Sequence, residues 1–218
     1  MSYDAIKFVS PGVNSGYAPN YHFAIRANSI WDPDNSQGGE SAVGYTSAAA
    51  GFNHYTVYAC RATVHWTPYS QSATSFVIGG GNEGCGVPIW VGIGLVADMT
   101  QLTQDYKHLS QDHNWSWDLI NLQNASWSGE KDGRKQYIQT KWFSAKTFFN
   151  CSSPKDVETI SAPMGANPSD QAYFAVAAVA TRTKLFTPEG SDFGTWCVHY
   201  HLEYWVDLQE PKFQGVAE

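Results

Sequence analysis

Three acidic residues, Asp32, Asp34 and Glu40, stand in the segment IWDPDNSQGGESAVGY, Ile30 to Tyr45, among Pro, Asn, Ser, Gln and glycines. Carboxylates and amide oxygens on a turn-rich segment are the chemistry of a hard divalent cation. A calcium loop of the EF-hand type wants oxygen donors at its first, third and fifth positions, glycine at the sixth and glutamate at the twelfth. Asp32, Asp34 and Ser36 supply the first three, but Gln37 and Val43 stand where the glycine and glutamate belong. The EF-hand reading fails. A looser structural divalent cation site on Asp32, Asp34 and Glu40, completed by another loop or subunit, remains as an expectation.

A second grouping is His199, His201 and Glu203, which alternate along a strand-like run and so project from one face. Neutral imidazoles and a carboxylate on one face can meet a divalent metal in jelly-roll enzymes. The outer two of these residues lie ~13 Å apart on an extended strand at ~3.3 Å per residue, so all three reach one ion only if the strand is bulged. The basic residues gather most densely at Lys131, Arg134 and Lys135, in a polar stretch that suits a solvated loop or a short nucleic-acid patch. No G-x-S-x-G elbow, H-E-x-x-H helix or Walker A pattern occurs, and IGGGNEGCGVP lacks the GK[ST] ending of a phosphate loop.

Composition narrows the classes further. The 218 residues suit one domain with a single core. Charged residues make up only 15%, against the usual ~25% of soluble domains, whereas aromatic residues reach 15% with 9 Trp. A surface so poor in charge and rich in rings suits burial against other subunits. The formal charge of -7 argues against a protein that grips nucleic acid chiefly through a basic face. Cys60, Cys85, Cys151 and Cys197 are widely separated, with no C-x-x-C, and read as free thiols. The sequons at Asn114, Asn124 and Asn150 matter only in a secretory lumen. The first twenty residues have no apolar signal region, and no apolar run reaches the ~18 residues of a membrane span. The expectation is a soluble protein made in a reducing compartment, with no membrane partner.

The elements that must position these groups are strands. In TWCVHYHLEYWVDL, Thr195 to Leu208, Trp196, Val198, Tyr200, Leu202, Tyr204, Val206 and Leu208 alternate with Cys197, His199, His201, Glu203, Trp205 and Asp207. In Tyr55 to Trp66 the same period sets Tyr58, Cys60, Ala62, Val64 and Trp66 against Tyr55, Val57, Ala59, Arg61, Thr63 and His65. Shorter runs are Ala5 to Val9, Tyr21 to Ala27, Ile89 to Ala97, Tyr137 to Phe143 and Tyr173 to Ala180, with Thr74 to Ile78 and Val157 to Ile160 as weaker strands. Only Leu102 to Leu109 and Thr46 to Phe52 read as helices. Many strands, long loops and almost no helix predict an all-β sandwich or barrel.

Four segments, in order, carry a resemblance: NSIWDPDNSQGGESAVGYTSAAAGFNHYTVYACRATVHW, KQYIQTKWFSAKTFFN, AYFAVAAVA and HYHLEYWVDLQEPKF. Together they resemble the capsid proteins of circular single-stranded DNA viruses that encode a replication initiator, the circovirus-like group. The resemblance implies an all-β viral jelly roll of two packed four-stranded antiparallel sheets with long loops, spanning residues 1-218 as one domain. It implies a structural, non-enzymatic capsid protein without cofactor, self-assembling as a homo-oligomer into a small icosahedral T=1 shell of about sixty copies. The shell would enclose viral single-stranded DNA and meet a host receptor that the sequence does not identify. The implied location is the virion and the host cell, with assembly in the nucleus. Under this resemblance the Tyr55 strand is the fourth only if an early strand is split.

One departure is that the family's Arg-rich N-terminal arm has no counterpart here, since Lys7 is the only basic residue among the first twenty. The expected nucleic-acid contacts are Lys7, Arg26, Arg61, Lys131, Arg134 and Lys135, with aromatic stacking on unpaired bases as a possible supplement. Two alternatives stand beside this reading. One is a carbohydrate-binding jelly roll using Trp31, Trp90, Trp115, Trp117 and Trp127 as sugar platforms. The other is a metal-dependent jelly-roll enzyme using His199, His201 and Glu203.

Overall fold

The computed structural model describes residues 1–9, 21–34, 40–69, 89–98, 112–120, 137–180 and 195–212. Among these residues nine strands run in chain order: β1 (Ser2–Val9), β2 (Tyr21–Arg26), β3 (Phe52–Tyr69), β4 (Ile89–Val96), β5 (Trp115–Ile120), β6 (Tyr137–Ser144), β7 (Ser161–Pro163), β8 (Tyr173–Ala180) and β9 (Thr195–Pro211). Two short helices among them, α1 (Tyr45–Gly51) and α2 (Ala145–Phe148), precede β3 and follow β6.

The first sheet has the order β1-β9-β3-β6, with β7 added along part of β3, and the second has the order β2-β8-β4-β5. All pairings are antiparallel. With the three-residue β7 set aside, the first strand pairs with the last, the second with the second-last, the third with the third-last and the fourth with the fourth-last. That is a long antiparallel ribbon rolled onto itself, the jelly roll. The fold class is therefore the all-β jelly roll of two packed antiparallel sheets, with β7 as an addition to one of the two four-stranded sheets.

The inner faces of the two sheets make one core. β9 contributes Trp196, Val198, Tyr200, Leu202 and Tyr204, and β3 contributes Cys60, Ala62, Val64 and Trp66. Across from them lie Ile89, Val91 and Ile93 of β4 and Phe174, Val176 and Ala178 of β8. The alternation of β9 predicts its buried face correctly. That of β3 holds only from Cys60 onward, because a bulge shifts the register between Val57 and Ala59. The extra residue, Tyr58, puts Tyr55 and Val57 on the same buried side as Cys60, which corrects the two-face division drawn from strict alternation.

Other boundaries also change. The Tyr55 strand is third in the chain, with no split strand before it among the described residues. It begins at Phe52, so Phe52 belongs to β3 and not to the helix. Val157 to Ile160 is no strand: 3-10 turns at Pro154–Asp156 and Glu158–Ile160 occupy it, and Ile160 plugs the core. β5 is a strand absent from the expected set, and it carries Trp115 and Trp117. Thr74 to Ile78 and Leu102 to Leu109 lie outside the described residues. Cys60, Cys151 and Cys197 are free thiols, and burial pushes the Cys60 thiol well above its ordinary range.

Candidate functional site: two outer sheet faces

Asp32, Asp34 and Glu40 of the acidic segment each meet other side chains of the protein. Asp34 makes a β-bridge with Ile25, which threads the segment back beside β2, and its carboxylate is 1% exposed. There it meets Lys7 Nζ at 3.1 Å and accepts the Tyr200 hydroxyl. The Lys7 stem lies inside the sandwich, with its ammonium 5.2 Å from the centroid of the Phe23 ring. Asp32 instead takes Arg26, Nη1 to Oδ2 at 2.7 Å, while Arg26 Nε donates to Gln171. Glu40 accepts the Tyr3 hydroxyl at 3.1 Å. Each carboxylate thus has its own protein partner. Among the described residues no three His, Cys, Asp or Glu side chains converge as a metal needs.

These contacts stabilise the fold. Burial first, and then the hydrogen bond to Asp34, push the Tyr200 phenol far up, so it stays a donor at every ordinary pH. Burial likewise holds Tyr55 up to about 12, and its hydroxyl ties Ser29 and the Ala166 carbonyl. The segment Asn28 to Asp34 is a strut between sheets: Asn28 bonds Asp170 and Ala172, and Ser29 bonds Asn167.

The outward side chains of β1, β9, β3 and β6 form a grid set by strand register. One row reads Ile6, His199, His65, Ile138; the next Asp4, His201, Thr63, Thr140; a third brings Glu203, Arg61 and Trp142 side by side. Trp205 follows on β9, opposite Ala59. Five of the seven exposed large hydrophobic residues among those described lie here: Ile6, Phe8, Ile138, Trp142 and Trp205. The Trp142 and Trp205 rings are 5.4 Å apart, and Arg61 sits 5.5 Å from the Trp142 centroid while ion-paired with Glu203. Asp4 bridges two imidazoles, His201 Nδ1 at 2.7 Å and His199 Nε2 at 3.2 Å, and the His199 ring is 5.6 Å from His65.

His199, His201 and Glu203 do share one face, but the strand is unbulged there. Glu203 pairs with Arg61, and the two imidazoles turn to Asp4. An enzyme site on this trio has no metal geometry to stand on.

The outer face of the second sheet is built differently. Its register aligns Ala24, Ala175, Gly94 and Trp115 across four strands, and sets Ala177 and Gly92 beside Trp117. The indoles of Trp115 and Trp117 lie back over the two glycines and stack on each other at 5.1 Å and 14°. A Cβ at Gly94 would come within 2.4 Å of Trp115, and one at Gly92 within 2.6 Å of Trp117, so glycine is needed at both positions. Trp115 is only 6% exposed. Of the proposed sugar platforms, Trp115 is buried in this cover, Trp117 is stacked on it, Trp31 and Trp90 are half-buried, and Trp127 lies outside the described residues.

Of the six basic residues expected at nucleic acid, the three described ones, Lys7, Arg26 and Arg61, are not brought together. Lys7 is in the sandwich interior, Arg26 is held against Asp32, and Arg61 is on the open outer face. Lys131, Arg134 and Lys135 lie outside the described residues. Asp4, His65, Trp142 and Trp205 were missed. The signal was clearest on β9, where His199, His201, Glu203 and Trp205 alternate with the apolar inward residues.

No family model matches the chain, and no curated protein matches it in sequence. Solved structures similar to it include the T=1 subviral particle of a Penaeus vannamei nodavirus capsid protein deletion mutant, at 9% identity over 98% of this chain and 97% of that one, TM-score 0.49. The decameric BFDV capsid protein is similar at 10% identity over 96% of each chain, TM-score 0.44. Desmodium yellow mottle tymovirus is similar at 11% identity over all of this chain and 85% of that one, TM-score 0.38.

Proposed function

We propose that the chain is a structural capsid subunit, without enzymatic activity, that self-assembles into a small icosahedral shell of the T=1 class around a circular single-stranded DNA genome. The observation that carries this reading is the agreement of sequence order with fold order. The four segments that resemble the capsid family supply β3, β6, β8 and β9, each at the place where a rolled ribbon requires a strand. Two further features support it. The interior is filled by side chains such as Trp66, Trp196 and Phe143, and the open apolar surface is a broad sheet face. A sheet face with several exposed aromatic and aliphatic side chains suits contact with a large partner. The virion is then the protein's location, and further copies of itself are its main partner.

A sugar-binding role is disfavoured by the way Trp115 and Trp117 cover each other and the glycines of β4. The test is to sediment the purified protein after nuclease treatment and extract what the particles protect. Circular single-stranded DNA in the particle fraction is the expected result. Particles that protect only RNA would overturn the genome assignment, and a protein that never sediments faster than a monomer would overturn the shell.

A further inference from the structure

We propose that the outer face of the β1-β9-β3-β6 sheet binds a second copy of this chain about a two-fold axis that runs along the strands, between β9 and β3. The inference rests on the capsid reading, which makes further copies of the chain its main partner, and it names one contact and its symmetry. A two-fold contact demands a surface that complements itself. Whatever stands on one side of the axis must fit what stands at the matching position on the other.

The strand register meets that demand row by row. The midline of the sheet falls between β9 and β3, and every row of outward residues crosses it. The row Ile6, His199, His65, Ile138 reads the same in both directions. The axis sets the exposed Ile6 against the second copy's exposed Ile138, and His199 against its His65. The next row, Asp4, His201, Thr63, Thr140, sets a carboxylate and an imidazole against hydroxyls, which hydrogen-bond with either. The row Ser2, Glu203, Arg61, Trp142 inverts in charge across the midline, so Glu203 meets the second copy's Arg61 and Arg61 meets its Glu203. No carboxylate of these rows faces another.

Arg61 and Glu203 are already paired within the chain, with side chains 39% and 32% exposed. A guanidinium has five N–H donors and a carboxylate about four acceptor sites, so both can take a second partner. The contact closes the two pairs into a ring of four alternating charges. Trp142 and Trp205 come from strands on either side of β3, with their rings 5.4 Å apart, and form a ridge over β3, to one side of the midline. The axis lays the second copy's ridge alongside it, over β9. Sheets packed face to face cross at about −30°, which displaces the outer strands most and keeps β9 opposed to β3.

The test is sedimentation velocity of the full-length protein over a concentration series, for the wild type, Arg61→Glu, Glu203→Arg, an equimolar mixture of those two variants, and Trp142→Ala. A single charge reversal sets like charges together on both sides of the axis, and each should weaken association by at least about tenfold. In the mixture one chain carries two carboxylates at these positions and the other two guanidinium groups, so the mixture should associate as the wild type does. An ion pair confined to one chain gives no such recovery, because within each variant it stays broken. Trp142→Ala, which keeps the ion pair, should weaken association by about tenfold. A mixture that associates no better than its components overturns the proposal, as does an Arg61→Glu variant that associates like the wild type. If the charge reversals unfold the protein, Trp142→Ala decides alone, and wild-type association in it overturns the proposal. A wild type that stops at the dimer and closes no shell defeats the capsid reading and leaves this contact standing.

Discussion

The two outer faces of the sandwich use tryptophan pairs to opposite ends. On the second sheet, glycines at positions 92 and 94 let Trp115 and Trp117 fold back over the strands, and Trp115 ends 6% exposed. On the first sheet the neighbouring outward residues are Arg61, Ala59 and Ser144, which leave no glycine trough, and Trp142 stays 55% exposed. Whether an indole becomes cover or contact surface is thus decided by what stands on the next strand. A face closed by its own rings contributes stability, and a face that leaves them open keeps apolar surface exposed.

That difference is best broken at its covered side. Trp115→Ala should lower unfolding free energy by about 3–5 kcal/mol in urea titrations, since a buried ring is lost over a floor that cannot refill it. Gly94→Ala should cost about 1–3 kcal/mol by the same assay, because the new methyl displaces the Trp115 ring. A neutral result for Gly94→Ala would mean that the indole does not lie over that glycine. On the open side Trp142→Ala should change stability by no more than about 1 kcal/mol, since removing an exposed ring leaves no cavity. Smallest of all, Asp4→Asn should move the melting curve by an amount equivalent to about 0.5 kcal/mol or less, as expected for a half-exposed ion pair.

The alternation in the sequence made much of this legible. The dry face of β9 could be read residue by residue from Trp196 to Leu208, because a strand lining one core must alternate. β3 could be read only as far back as Cys60, since a bulge at Tyr58 leaves no mark in composition. β5 was hidden because the outward side of WSWDLI is as aromatic as an inward one, and its tryptophans find their place only beside the glycines of β4. The partners of the acidic segment were hidden for a related reason. Asp34 looks like a cation ligand in sequence, but its partners, Lys7 and Tyr200, come from β1 and β9, far away along the chain. Ligand-like spacing is local information, and charge pairing across a rolled ribbon is not. The same limit concealed the open face, whose rows join residues from four distant strands.

The central claim is that this jelly roll exists to build a shell, and negative-stain electron microscopy of the purified protein tests it most directly. Closed, uniform spherical particles are the predicted result. A protein that stays monomeric in every field, across concentration, salt and pH, would contradict it.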